Sequence, residues 1–314
     1  MPRVLLQSTR AFRFAGLNAH SCCEYGCRCP RSGKTSKRPA VGLPYPLSMR
    51  FRLAVFGGGN MGGALIGGLL ANGWATQEEL VVVDVYEPTR DALQQRHPAL
   101  TIVDSATKIE SADAALIAVK PYQVAELGAS LAALGVTRVL SVAAGITTAA
   151  MEAAIGGSVA VIRSMPNTPA LVGAGAAAIS AGKFAADEDL AWAASILDAV
   201  GMSVTVPEHL LDAVTGLSGS GPAYLFLVAE ALVEGGVLAG LTRPTAKALV
   251  AQLMLGAGTM LKETGDEPAI LRAAVTSPGG TTAAGLRELE RGSVRSSFIE
   301  AVAAAAARSK ELGQ

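Results

Sequence analysis

Between residues 52 and about 207, short runs of Val, Ile, Ala and Leu alternate with longer stretches whose apolar positions recur at helical spacing. Beyond Pro207 the short runs stop and only the helical period continues. The runs at 53–56, 80–84, 114–118, 139–142, 159–162 and 176–180 predict strands, several of them apolar at every position, as strands covered by helices on both faces are. Segments 209–217, 222–240, 243–264, 267–275, 281–291 and 295–312 predict helices. The pattern implies an α/β fold in which a doubly wound, mostly parallel sheet at 49–207 is followed by an all-α domain at 208–314. The later helices are apolar around most of their circumference, as in Tyr224-Leu225-Phe226-Leu227-Val228-Ala229. A helix apolar all round must be covered, and a domain this small has little interior, so an oligomer interface is the expected cover.

Composition adds three constraints. Half of the 314 residues are hydrophobic and 4% are aromatic, so the core is built mainly from Ala, Val, Leu and Gly. No apolar run reaches the roughly 18 residues of a membrane helix without an intervening Gly, Pro or charge, which predicts no membrane association. The zero net charge hides an asymmetry, because residues 1–50 hold nine of the 26 Lys and Arg but only one acid, Glu24. The remainder is therefore acidic, which argues against a nucleic-acid partner. All four cysteines, Cys22, Cys23, Cys27 and Cys29, lie in that basic segment, so the rest of the chain relies on neither disulfides nor Cys-bound metal. Their crowding lacks the paired C-x-x-C spacing of a structural zinc site, and no metal is expected. A reducing, cytoplasmic setting fits. Residues 1–48 read either as an extension with the Arg- and Ser-rich composition of a transit peptide, or as sequence upstream of a start at Met49.

Candidate chemistry begins at Gly57-Gly58-Gly59-Asn60-Met61-Gly62, which has G-x-G-x-x-G spacing. Among 35 glycines such spacing arises easily, but here it follows a predicted strand and opens a predicted helix, with Asp84 at the end of the next strand. Gly57 permits the tight turn, Gly59 lets a pyrophosphate approach the backbone, and Gly62 lets the helix lie close to the sheet. The loop therefore predicts NADH or NADPH as cofactor. Asp84 is placed to accept hydrogen bonds from ribose hydroxyls and to repel a 2′-phosphate, whereas Arg90 is placed to clamp that phosphate, so the choice between the two stays open. Ala118-Val119-Lys120-Pro121 and Ala143-Ala144-Gly145 follow predicted strand ends, on the side of the sheet where ligands bind, and Ser105 is a further candidate cofactor contact.

A second anion site is written into Val275-Thr276-Ser277-Pro278-Gly279-Gly280-Thr281-Thr282-Ala283-Ala284-Gly285-Leu286. Gly279 and Gly280 let backbone amides crowd together at a helix start, where Ser277, Thr281 and Thr282 add hydroxyls, and such a site suits a carboxylate or phosphate. Two histidines, His97 and His209, lie outside residues 1–48, and Tyr224 has no Lys four residues on, so the usual proton donors for ketone reduction are scarce. Imine reduction needs no strong donor, because a protonated C=N is already electrophilic and gives a neutral amine.

These loops, with Arg163-Ser164-Met165-Pro166-Asn167-Thr168-Pro169 and Asp212-Ala213-Val214-Thr215-Gly216-Leu217-Ser218-Gly219-Ser220-Gly221-Pro222-Ala223-Tyr224, give residues 51–312 the motif order of a known family. The chain resembles the pyrroline-5-carboxylate reductases, the last enzymes of proline biosynthesis. The resemblance implies a Rossmann domain, an all-helical dimerisation domain, and interlocked dimers assembled into a larger ring. It implies that Ser277, Gly279, Gly280, Thr281 and Thr282 hold the substrate, with Thr282 hydrogen-bonding the ring nitrogen as the catalytic group. It also implies that the 118–121 segment lines the cofactor, that Asn167 lies near the nicotinamide and that Glu208 approaches the cofactor. Two other readings share the architecture: another imine or β-hydroxyacid-type reductase, and a non-catalytic dinucleotide-binding regulator. The β-hydroxyacid type normally carries a lysine near 221–226, which this chain lacks.

Overall fold

The computed structural model describes residues 50–313. The expectation for residues 1–48 lies outside them. From the N-terminal side the elements are β1 (Arg50–Phe56), α1 (Asn60–Ala71), β2 (Leu80–Val83), α2 (Glu87–Arg96), β3 (Thr101–Val103), β4 (Ser111–Ile117) and α3 (Val124–Leu134). There follow β5 (Arg138–Ser141), α4 (Thr148–Ile155), β6 (Ala160–Met165), β7 (Gly175–Ala181), α5 (Asp187–Leu197) and β8 (Gly201–Thr205). They form one sheet of order β3-β2-β1-β4-β5-β6-β7-β8.

Alternation along β1 shows how the sheet is covered. Leu53 and Val55 join a core with Leu65, Ile66 and Leu69 of α1 and Ile196 and Leu197 of α5. Ala54 and Phe56 point to the other face, into a core with Leu131 of α3 and Met151 of α4. Each fully buried Leu or Ile contributes about 1.5–3 kcal/mol, so both layers are firmly held. All six predicted strands are present. Two further strands were not predicted: β3, three half-buried residues, and β8, a largely exposed run with Ser and Thr, both at sheet edges. The expected parallel pattern breaks once, where β7 runs antiparallel to β6. One short turn at Thr168–Val172 joins them, and a parallel crossover needs a dozen or more residues.

After β8 the chain is helical, as expected: α6 (Leu211–Val214), α7 (Gly221–Leu238), α8 (Arg243–Thr264), α9 (Pro268–Ala274), α10 (Thr281–Arg291) and α11 (Val294–Leu312). Thr215–Gly219 between α6 and α7 is a widened π turn. There Gly216 meets α11 so closely that a Cβ would lie 2.4 Å from the Val302 carbonyl oxygen. This region buries little by itself. Its core consists of Val233, Ala246 and Val250, whereas Phe226 is 66% exposed and Leu238 91%. The helical run Glu208–Leu238 is long and apolar enough, by length and composition, to cross a membrane. The Gly and Pro residues expected to interrupt it do not, because Pro222 falls in the first turn of α7, where a missing N–H costs nothing.

Candidate active site

A cleft of about 670 Å³ opens at the C-terminal ends of β1, β2, β4 and β5, where the strand order reverses about β1. It is lined by Gly57, Gly59, Asn60 and Met61 from the glycine loop, by Asp84, by residues 118–121 and by Ala143 and Ala144. Gly57 has φ +97°, and a Cβ there would lie 2.7 Å from the Ala118 carbonyl oxygen. At Gly62 a Cβ would lie 1.9 Å from the Gly57 carbonyl oxygen, so only glycine lets α1 begin this close to the loop. Gly59, the cap of α1, has no heavy atom within 4 Å of the position a Cβ would take. The cradle therefore has the tight turn, the close helix and the open approach that a pyrophosphate needs at a helix N-terminus. The first turn of α1 carries no acidic side chain to oppose an anion.

Asp84 lies one residue beyond β2 and ties the loop together. Its carboxylate accepts from the Gly58 N–H at 2.7 Å and from the Tyr86 N–H at 2.8 Å. The Arg90 guanidinium donates to the Asp84 carbonyl oxygen at 2.9 Å, and Arg90 does not line the cleft. Lys120 lines the cleft and is exposed, with its own backbone N–H donating to Gln123 at 3.2 Å. Val85 and Tyr86 also line the cleft, with most of their surface exposed, and were not singled out from sequence. Their position directly after the acidic strand end was the available signal.

Three candidate contacts have side chains engaged away from the cleft. The Ser105 hydroxyl caps a short turn, accepting from the Thr107 N–H at 3.3 Å, and is not part of the cleft lining. Asn167 is buried and engaged at both ends: its amide donates to the Ser218 carbonyl at 3.0 Å and its carbonyl accepts from the Ala176 N–H at 2.9 Å. It fastens the helical region to β7, and both ends of its side chain bond to backbone. The Glu208 carboxylate accepts from the Thr148 N–H and hydroxyl, each at 2.8 Å, and meets the Arg163 guanidinium at 3.3 Å. It thereby caps α4, placing a negative charge at a helix N-terminus. Gly145 follows Ala144 without lining the cleft itself.

The segment at 277–282 opens a helix, as its pattern predicts. Gly279 takes a left-handed φ of +66°, Gly280 caps α10, and the helix begins at Thr281. The Ser277 hydroxyl is tucked against Gly280, where a Cβ would lie 2.3 Å from it. No acidic residue occupies the first turn of α10, and residues 277–282 are exposed or half-buried. Within one chain this loop does not line the cleft that holds the glycine loop.

Comparison with known proteins gives a consistent result. A family model described as pyrroline-5-carboxylate reductase dimerisation matches residues 208–312, and one described as NADP oxidoreductase, coenzyme F420-dependent, matches residues 52–145. Pyrroline-5-carboxylate reductase of Synechocystis is 45% identical over 268 residues, 85% of this chain and 100% of the relative. That of Corynebacterium melassecola is 43% identical over 267 residues, 83% of this chain and 98% of the relative. Among solved structures, a pyrroline-5-carboxylate reductase from Coxiella burnetii superposes with a TM-score of 0.78 at 36% identity, covering 84% of this chain and 99% of that one. The Plasmodium falciparum pyrroline carboxylate reductase with NADP bound superposes with a TM-score of 0.73 at 29% identity, covering 85% of this chain and 99% of that one.

Proposed function

The chain belongs to the pyrroline-5-carboxylate reductase family, and from that premise we propose that it reduces the C=N bond of 1-pyrroline-5-carboxylate to give proline, with NADH or NADPH as reductant. The observation that carries this reading is the pairing, in one chain, of a dinucleotide cradle with a hydroxyl-bearing anion loop on α10. Held in the cleft by the glycine loop and Asp84, a dinucleotide would supply the hydride for the imine carbon.

The chain's own contribution is to bind, orient and hold protons. The start of α10, with the hydroxyls of Ser277 and Thr281, takes the substrate carboxylate through unpaired backbone amides and a favourable helix dipole. Gly279 and Gly280 keep side chains from blocking that approach. Thr282 holds the ring nitrogen, its oxygen accepting from the protonated imine and its hydroxyl remaining available to the amine that forms. Gly57 to Gly62 and Asp84 hold the dinucleotide, with the 118–121 and 143–144 segments along its length.

Because the α10 loop and the cleft lie apart within a single chain, a complete site is formed when a second copy brings its α10 to the cleft. The exposed apolar faces of α7 and α8 are the surfaces that would meet in such a dimer, and they lie within the segment that matches the dimerisation model. A partner helix rather than lipid then covers Glu208–Leu238, consistent with a cytoplasmic enzyme. The assembly of dimers into a larger ring rests on the family resemblance.

The test is oxidation of NADH and NADPH by the purified chain with 1-pyrroline-5-carboxylate and, separately, with β-hydroxyacids in the reverse direction. Turnover of the cyclic imine is expected. Turnover of a β-hydroxyacid alone would reassign the reaction, and dinucleotide binding without turnover of either would make the chain a regulator.

A further inference from the structure

The last turn of the chain touches the loop that follows β5. Gly145, in that loop, has φ +77°, and a Cβ on it would lie 3.4 Å from the Leu312 carbonyl oxygen and 3.6 Å from the Gly313 Cα. Conversely, a Cβ on Gly313 would lie 3.3 Å from the Gly145 carbonyl oxygen. Two glycines thus bring the end of α11 into backbone contact with the segment immediately after Ala143 and Ala144, which line the dinucleotide cleft. α11 approaches from a fixed position. The Ser309 hydroxyl donates to the Asp212 carboxylate at 2.7 Å, and Val302 and Ala306 meet the π turn at Gly216. The loop is held at its far end too, where Glu208 caps α4.

We propose that the C-terminal turn of α11, at Leu312 and Gly313, is a positioning element for the cofactor: it holds residues 142–146 in the conformation that binds the dinucleotide. The proposal rests on the assignment of the cleft to NADH or NADPH. Val142 donates to the Ile117 carbonyl oxygen, Ala143 is buried in the core and Ile146 packs against it, whereas the backbone N–H groups of Ala144 and the left-handed Gly145 have no hydrogen-bond partner among the described residues, and the α11 turn lies directly against Gly145. An apex without backbone hydrogen bonds of its own opens locally at low cost. When only a fraction of molecules hold the competent conformation, apparent affinity falls by that fraction.

Deleting residues 312–314 from the full chain removes the contact and leaves Ser309, Ala306 and Val302 in place. Freeing the loop to a competent population between about a third and a tenth raises the dissociation constant of NADPH and NADH about three- to tenfold. The KM for the imine and the melting temperature stay close to wild type. Amide hydrogen exchange at 142–146 accelerates. Gly313→Ala, whose own φ of −91° suits any residue, presses a methyl on the Gly145 carbonyl and gives a smaller effect in the same direction. Glu311→Ala, which breaks an exposed pair with Arg308 on the same turn, leaves dinucleotide binding unchanged. An unaltered dissociation constant in the truncated chain overturns the proposal, as does a loss that tracks a general fall in melting temperature without faster exchange at 142–146. Failure of the wild-type chain to bind either dinucleotide would instead remove the cleft assignment on which the proposal stands.

Discussion

Replacing Gly62 by Ala puts a methyl carbon 1.9 Å from the Gly57 carbonyl oxygen and 3.0 Å from its carbon. Neither neighbour is a flexible side chain, so the start of α1 must withdraw by about 1–1.5 Å to restore ordinary contact. Overpacking of this kind costs about 1–3 kcal/mol, which in a protein of this size lowers the melting temperature by roughly 2–10 °C. The same withdrawal carries the amides of the first helical turn away from the pyrophosphate. Losing one or two charge-assisted hydrogen bonds, at about 1.5–3 kcal/mol each, raises the dinucleotide dissociation constant at least about tenfold. Gly59→Ala separates the two effects. Its φ of −64° suits Ala, and no atom lies within 4 Å of the added methyl, so folding is nearly untouched. The methyl occupies the space through which the pyrophosphate approaches, and binding should weaken about tenfold or more at an unchanged melting temperature. Fluorescence titration of NADPH beside thermal melting reads both quantities. Dinucleotide affinity within twofold of wild type for Gly59→Ala would refute the placement of the pyrophosphate on this loop.

Thr282→Ala should lower kcat by about 10- to 100-fold with a smaller change in KM, the cost of one hydrogen bond that strengthens as the ring nitrogen becomes basic. An unchanged kcat removes Thr282 from the mechanism. Asp84→Ser should shift the kcat/KM ratio toward NADPH, because it removes the carboxylate at the strand end; strong NADPH preference in the wild type would show instead that Arg90 sets the choice. Phe226→Asp, on the exposed face of α7, should convert dimer to monomer on size exclusion and abolish turnover while leaving dinucleotide binding intact, since an exposed aromatic anchor is worth about 2 kcal/mol or more in an interface. Retained turnover in a monomer would contradict the two-chain site. Burial, aided by Arg96, holds the His97 imidazole below its ordinary value of 6.5. The unfolded chain then binds the proton more readily, so this contribution to stability is present above about 6.5 and lost as pH falls through the folded-state value. His97→Gln should flatten the acid side of the melting-temperature profile; an identical profile would assign that slope to other groups.

How far the residues alone disclose this molecule depends on what each kind of signal encodes. β1, β2 and β4 are covered on both faces, and that geometry writes itself as the unbroken apolar runs 53–56, 80–83 and 114–117. β3 and β8 sit at the sheet's edges, where one side needs no partner, and no such run was imposed on them. The direction of β7 leaves no trace in its side chains, because side-chain alternation is the same for parallel and antiparallel strands; only the brevity of the Thr168–Val172 connection carries it.

The site divides along the same line. Gly57 and Gly62 are required by backbone contacts within a few residues of themselves or across adjacent strands, so a local motif identifies them. Asn167 and Glu208 also stand at motif positions, yet their roles depend on partners 51 and 60 residues away, the Ser218 carbonyl and the Thr148 amide. A motif names such residues without saying where they point. Asn167 spans Ser218 and Ala176, and Glu208 spans α4 and Arg163, so both couple the helical region to the sheet. The α10 loop goes one step further, for its hydroxyls and glycines read in the sequence as an anion site while one folded chain leaves that loop apart from the cleft of the glycine loop. The apolar circumference of α7, which no single domain of this size can bury, is the sequence's own statement that the missing neighbour is another protein surface.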